Sequence, residues 1–309
     1  MTDAEKSNKF VEGQEIALAY DGDGEVYGIL HLEEKKQINK KDSAEKIFGT
    51  LDLEHPGVKK FLEKGDILLG GKITLIKRRN SLYKIYELTP EQTRKIFMER
   101  GWSKVLGFHT RNVIHRSHEF IQLEGMKRGL CDGLFVHPII GKKKAGDFEA
   151  DVIIKSYETM IENFYPEAKA FLSSFASYSR YCGPREAIFT ALVRKNFGCS
   201  HFVVGRDHTG VKDFYHPKAS HDIFDKFSDE EIGIIPVKFD KVFFSDIDNK
   251  YFHDTPLLEY PEENKLHISG TQAREMLQKG EMPPEWFMRP EISQIILDKI
   301  NNGEKVFVE

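Results

Sequence analysis

The stretch Gly107–Glu119, GFHTRNVIHRSHE, decides how the rest of the chain is read. It completes the apolar run Val105–Phe108, which has the length and composition of a buried strand. It then sets His109, Thr110, Arg111 and Asn112 side by side and passes into an amphipathic run carrying His115 and His118. The order is strand, polar turn, helix. In an open α/β sheet, ligands bind outside the carboxyl ends of the strands, and a helix N-terminus there favours anions through its free N–H groups and dipole. His115 and His118 are three positions apart, a spacing that puts both on one helix face within reach of one phosphate chain. A plain surface loop after a strand would also be polar.

Downstream, strands alternate with helices. Thr89 reads as a helix cap and Pro90 as the first turn of a helix that runs to about Arg100 and stops at Gly101. Strands are expected at Val105–Phe108, Gly133–Ile140, Ala170–Ser174, Phe202–Gly205 and Ile232–Val237. Helices are expected at Val113–Gly129, Phe148–Tyr165, Pro184–Phe197 and Ser220–Phe227, and again from Thr271, interrupted by Pro283-Pro284 and Pro290. The alternation predicts an α/β fold with a mostly parallel sheet covered on both faces. Upstream, Ile16–Tyr20 and Val26–Leu32 flank Asp21-Gly22-Asp23-Gly24, a hairpin signal. Glu33–Lys46 reads as a solvated helix or loop, His55-Pro56-Gly57-Val58 opens a short helix, and Lys72–Lys77 alternates like a strand. The expected domains are a small β-rich module over 1–88 and a catalytic domain with a C-terminal helical segment over 89–309.

The 309 residues match about two domains. No apolar run approaches the roughly 18 residues that span a membrane, and the N-terminus MTDAEKSNKF lacks the apolar core of a secretory signal. Lys and Arg number 45 against 49 Asp and Glu, a formal charge of −4. Neither nucleic acid nor an anionic membrane is attracted globally, so an anion site must be local. Cys131, Cys182 and Cys199 are odd in number and widely spaced, which fits reduced thiols of a cytoplasmic protein better than a disulfide framework.

Four further clusters fall at strand ends or helix starts. His137-Pro138-Ile139-Ile140-Gly141 runs into Lys142-Lys143-Lys144-Ala145-Gly146-Asp147, a turn whose lysines suit a polyphosphate or simply face water. Gly205-Arg206-Asp207-His208-Thr209-Gly210 offers glycines for close approach and a guanidinium fork for an oxyanion, which Asp207 would hold or which would be a buried structural pair. Ile268-Ser269-Gly270-Thr271-Gln272-Ala273-Arg274 enters a helix. Ser269, Thr271 and Arg274 suit a phosphate, and ordinary capping explains the hydroxyls equally well. Gly183-Pro184-Arg185-Glu186 reads as a structural helix start. Phosphate-loop, nucleophile-elbow and zinc-protease motifs are missing, as are Cys pairs at zinc spacing. What remains suits phosphoryl-type transfer by positioning and charge neutralisation, without a covalent intermediate.

On these residues the chain resembles the ATP sulfurylase (sulfate adenylyltransferase) family. The family pattern Q-x-R-N-P-x-H-x-x-H resembles His109–His118. G-R-D-H appears as Gly205–His208 and I-S-G-T-x-x-R as Ile268–Arg274. Pro283–Pro290, Phe48-Gly49-Thr50 with Asp52, His55–Val58 and Gly70-Gly71-Lys72 extend the resemblance over nearly the whole chain.

The resemblance implies a Rossmann-like nucleotidyltransferase domain preceded by a PUA-like β domain, shortened here. It implies the reaction of ATP with sulfate to adenylyl sulfate and pyrophosphate, with Mg2+ accompanying ATP. A homodimer is expected only because it is the commonest assembly. Thr110, Arg111 and Asn112 become active-site residues, with Arg111 clamping sulfate. His115 and His118 stabilise the phosphates, and Gly205, Arg206, Asp207 and His208 hold the nucleotide. Thr209 contacts sulfate through its backbone, and Val242 corresponds to a nucleotide contact. His109 replaces the family's Gln beside sulfate and ATP, Val113 its Pro, and Thr209 its usual Ala. Phe244–His253 lacks the Cys of zinc-bearing relatives, so no zinc is expected, and no phosphate loop of a fused kinase follows. A cationic His109 would favour a different oxyanion, such as a phosphonate or phosphate ester. A third possibility is a nucleotide-binding regulator without catalysis.

Overall fold

The computed structural model describes residues 1–309 apart from Asp21, Pro256, Leu257 and Glu259. Its contacts divide the chain into two compact units. The first comprises Met1–Lys84, Arg180–Cys182 and Gly210–Phe214, and the second comprises Ile85–Ser179, Gly183–Thr209 and Tyr215–Glu309.

The first unit contains α1 (Ala4–Ser7), β1 (Glu15–Ala19), β2 (Val26–Gln37), α2 (Lys40–Phe48), α3 (Pro56–Leu62) and β3 (Ile67–Leu75). The three strands form an antiparallel sheet with β2 in the middle. Asp21 of the expected turn lies outside the described residues, and Gly22 and Gly24 beyond it have positive φ. The charged segment expected as a solvated helix or loop is divided. Glu33–Gln37 prolongs β2, and the helix starts only at Lys40, capped by Asn39. An antiparallel sheet with one solvated face tolerates charges on its exposed positions, so charge alone did not mark this strand's end. The register shifts between Leu32 and Glu34, opposite Gly71, where a Cβ would lie 1.9 Å from the His31 carbonyl oxygen. His55 is fully buried and caps α3, its Nδ1 accepting from the N–H groups of Gly57 (3.1 Å) and Val58 (3.2 Å). That motif is structural here.

The second unit begins with α4 (Pro90–Glu99), whose Thr89 makes a capping box with Gln92. There follow β4 (Val105–Thr110), α5 (Arg116–Arg128), β5 (Gly133–Pro138), α6 (Ala150–Asn163), β6 (Ala170–Leu172), α7 (Pro184–Asn196) and β7 (His201–Gly205). Two short helices, α8 (Ala219–Asp222) and α9 (Asp229–Ile232), precede β8 (Ile235–Phe239). The expected strand at Ile232–Val237 thus starts later: the Ser228–Glu231 capping box makes a helical turn that ends on Gly233 in the left-handed region. Next come β9 (Val242–Ser245), β10 (Lys250–His253) and β11 (Lys265–Leu266), a small antiparallel sheet that the sequence reading missed. The chain finishes with α10 (Gly270–Gln278) and α11 (Pro290–Asn301).

The main sheet has five strands in the order β6-β5-β4-β7-β8, all parallel. Successive residues of β4 serve opposite faces. Leu106 and Phe108 join a core with Val152, Ile153 and Tyr157 of α6 and Ile292 and Ile296 of α11. Val105 joins a second core with Phe97 of α4 and Ala187 and Ala191 of α7. Gly107 also faces α7, where a Cβ would come within 3.0 Å of the Arg194 side chain and Cys199. Both faces are covered, as a parallel sheet requires.

Candidate active site

The strand order reverses between β4 and β7. The connections from β4 run outward one way through β5 to β6, and those from β7 run the other way to β8. The loops leaving the two central strands therefore part and open a crevice at their carboxyl ends, the place where doubly wound sheets bind ligands. β4 ends on His109 and Thr110 and its loop runs over 111–115, while β7 ends on Gly205 and its loop continues through Arg206, Asp207, His208 and Thr209. Their side chains meet: the His109 and His208 rings lie 5.4 Å apart between centroids.

The turn after β4 is shaped locally. The Thr110 hydroxyl accepts from the Asn112 N–H at 3.1 Å, and the Thr110 carbonyl accepts from Ile139 N–H. These bonds hold Arg111 at the head of the turn, part-buried. Val113 and Ile114 are buried and anchor the turn to the core. The helix α5 begins at Arg116, so His115 is its N-cap residue and not a helical position. The two histidines still come together, with their rings stacked 3.7 Å apart. His115 also stacks on Phe287 at 5.0 Å, its Nδ1 lies 2.7 Å from Ser117 Oγ, and His118 packs edge-on against Phe108.

Burial sets the charge of this site. It pushes the pKa of His118 down to about 4 and that of His208 to about 3. His115 and His109 are driven well below the ordinary value, mainly by burial. For His109, the Arg194 guanidinium adds to the effect. All four rings are neutral at neutral pH. A cationic His109 is thereby corrected: the ring is a neutral hydrogen-bonding group, as an amide would be.

A cleft of ≈ 190 Å³ opens beside the turn, lined among others by Arg111, Asn112, His115, Lys144, Thr271 and Arg274. It joins the loop after β4, the lysine loop after β5 and the first turn of α10. Arg274 Nη2 donates to Thr271 Oγ1 at 3.4 Å. Ser269 stands apart: it caps α10, its hydroxyl accepting from Gln272 N–H at 3.1 Å, so it serves the helix. Val242 opens β9, packs partly buried against the core and does not itself line this cleft. Arg206 and Asp207 are both exposed, which corrects the idea of a buried pair. Gly205 has open space where a Cβ would stand. Thr209 has φ +58°, a strained conformation for a β-branched residue, and its hydroxyl donates to the His208 or Gly183 carbonyl.

Arg194 went unread in the sequence. It is fully buried on α7 and donates from Nη2 to the His137 carbonyl at 2.6 Å, tying α7 to the end of β5. A lone Arg after the run Ala187–Val193 was the only available signal. Lys144 and Asp147 of the cleft lay in the lysine turn, which solvation explained as well as binding did. Among the described residues, no three His, Cys, Asp or Glu side chains are grouped as metal ligands.

A doubly wound parallel sheet whose switch point carries a cationic, histidine-lined crevice defines an α/β protein of the nucleotidyltransferase type. The ATP-sulfurylase family model matches residues 84–299, and a PUA-like domain model matches residues 1–78. The chain belongs to the ATP-sulfurylase family, a family of nucleotidyltransferase enzymes.

Among its relatives is a sulfate adenylyltransferase of Synechococcus sp. (strain JA-3-3Ab), 44% identical over 96% of this chain and 74% of its own. Another, from Halothermothrix orenii, is 43% identical over 95% of this chain and 76% of its own. A solved structure titled a hexameric APS kinase from Thiobacillus denitrificans superposes with a TM-score of 0.69 at 20% identity. That match covers 96% of this chain and 52% of the other, so the chain spans about half its length, and the likeness is one of fold. No helix among the described residues is long and apolar enough to cross a membrane.

Proposed function

We propose that the chain is a sulfate adenylyltransferase, converting ATP and sulfate to adenylyl sulfate and pyrophosphate. The observation that carries this reading is the meeting of the carboxyl end of β4 with the loop after β7 at the switch point, with His109 against His208 and Arg111 beside a cationic cleft. A sulfate oxygen attacks the α-phosphorus in line. The new bond joins that oxygen to phosphorus, and the bond to the β-phosphate oxygen breaks with its electron pair leaving on pyrophosphate. No covalent enzyme intermediate is needed, so positioning and charge neutralisation supply the rate.

In this reading Arg111, with Thr110 and Asn112 shaping its turn, holds sulfate against the α-phosphorus. His109 and the Thr209 backbone complete the sulfate side, with Arg206 reaching from the β7 loop. His115 and His118, neutral and stacked, donate hydrogen bonds to the phosphate chain. Gly205, Asp207, His208 and Val242 contact the nucleotide, and Thr271 and Arg274 take phosphate oxygens, Ser269 setting the helix start. Mg2+ enters as part of the MgATP substrate. We assign residues 1–88 to the β domain and 89–309 to the catalytic domain, in a cytoplasmic homodimer.

The test is pyrophosphate release from ATP and Mg2+ with sulfate, and separately with phosphonates and phosphate esters. Sulfate-dependent release that falls about a hundred- to thousandfold in Arg111→Ala is expected, the scale of losing one transition-state donor. Release with the other anions and none with sulfate would replace the acceptor. Nucleotide binding without any release would mark a regulator.

A further inference from the structure

Lys143 lies in the loop that follows β5, and its ammonium is shut off from solvent with no hydrogen-bond partner among the described residues. An enclosed, unpartnered cation is costly, and such groups mark places where an anion is to come. The charged groups around it are Asp147 of its own loop, Glu149 and Asp151 at the start of α6, and Arg111 of the turn after β4. Two of them, Arg111 and Asp147, line the cleft, together with Lys144 and Arg274. Cations from three separate segments thus converge on one small space, while the whole molecule is acidic. The lining offers donors from Arg111, Asn112, His115, Lys144, Thr271 and Arg274 together, more than one tetrahedral ion needs. The Gly205–Thr209 turn contributes nothing to this lining.

We propose that Lys143 is an anion-binding residue that takes the terminal phosphates of ATP, the part released as pyrophosphate, as they enter the cleft beside Arg111. The assignment rests on the nucleotidyltransferase reading of this cleft and adds a residue to it. Lys143 is also a titrating contact. Burial pushes its pKa down to about 8, with Asp147 and Glu149 opposing the shift and Arg111 adding to it. Its charge, and so its hold on phosphate, is present below that pH and fades above it.

The experiment is titration calorimetry of the full chain with inorganic pyrophosphate and, separately, sulfate. It compares wild type, Lys143→Gln and Lys143→Arg at about pH 7 and about pH 9.5, either side of the shifted pKa. At the lower pH, Lys143→Gln weakens pyrophosphate binding by about ten- to a hundredfold, the scale of a charge-assisted contact, and Lys143→Arg retains it. Sulfate affinity changes by less than about twofold, since no contact to it is removed. At the higher pH, the advantage of wild type over Lys143→Gln shrinks, while that of Lys143→Arg persists. Wild type that binds pyrophosphate no better than Lys143→Gln overturns the Lys143 assignment alone. Equal losses for sulfate and pyrophosphate overturn its phosphate specificity. Wild type that binds neither pyrophosphate nor ATP removes the nucleotide reading beneath it.

Discussion

His109 and His118 are uncharged at neutral pH, and this changes what the anion site is made of. Its positive charge comes from Arg111, Lys144 and Arg274, and the histidines contribute N–H groups. The sequence revealed which residues would gather, because HTRNVIHRSH places them within ten positions. It could not reveal their protonation, because that depends on burial by distant segments such as α7, which brings Arg194 behind His109. The charge state has a thermodynamic consequence. The folded pKa of His118 is about 4 against an ordinary 6.5, so on acidification the unfolded chain takes up the proton first. Stability from this site is complete above the ordinary value and falls as pH drops from 6.5 towards 4, by up to about 3 kcal/mol. Urea midpoints measured across that window should fall steeply in wild type and more gently in His118→Phe. Parallel slopes would show that another group carries the acid sensitivity.

Helix caps and strand order were legible to very different degrees at the scale of elements. Thr89 and Pro90 announced α4, and both hydrogen bonds of the capping box are present. Thr89→Ala should cost about 1 kcal/mol in urea unfolding, with activity kept, because the cap lies outside the crevice. A change below a few tenths would mean that α4 is held by packing alone. The same signature was overlooked at Ser228–Glu231, where Gly233 closes the turn and delays β8 to Ile235. The sheet β9–β11 escaped notice because strands of four and two residues are too short to show a period. Strand order is different in kind. Alternating β and α segments implied a parallel sheet, yet nothing local says that β7 lies beside β4. That one adjacency creates the switch point and brings His208 to His109.

At the scale of the whole catalytic unit, the C-terminal segment is what closes one wall of the site. Arg289 donates to both oxygens of the buried Glu119, at 3.0 and 2.7 Å, while its guanidinium lies 3.9 Å over Phe164. The Arg116 N–H donates to the Phe287 carbonyl, and the Phe287 ring lies against His115. Glu119→Gln removes the charge from a two-pronged pair, and the unfolding free energy should drop by about 2–3 kcal/mol. Pyrophosphate release should fall with it as His115 loses its backing. Unaltered stability would mean that the neighbouring backbone bonds hold the segment by themselves. By itself, the sequence determined the α/β class, the family resemblance and the polar residues that gather after β4, because periodicity, caps and motif spacing are local properties. Only the tertiary structure decided the order of the strands, the neutrality of the histidines, the buried place of Arg194, the enclosure of the Lys143 ammonium, and the Glu119–Arg289 clasp. Those depend on solvent exclusion and on contacts between residues far apart in the chain, which no short window of sequence contains.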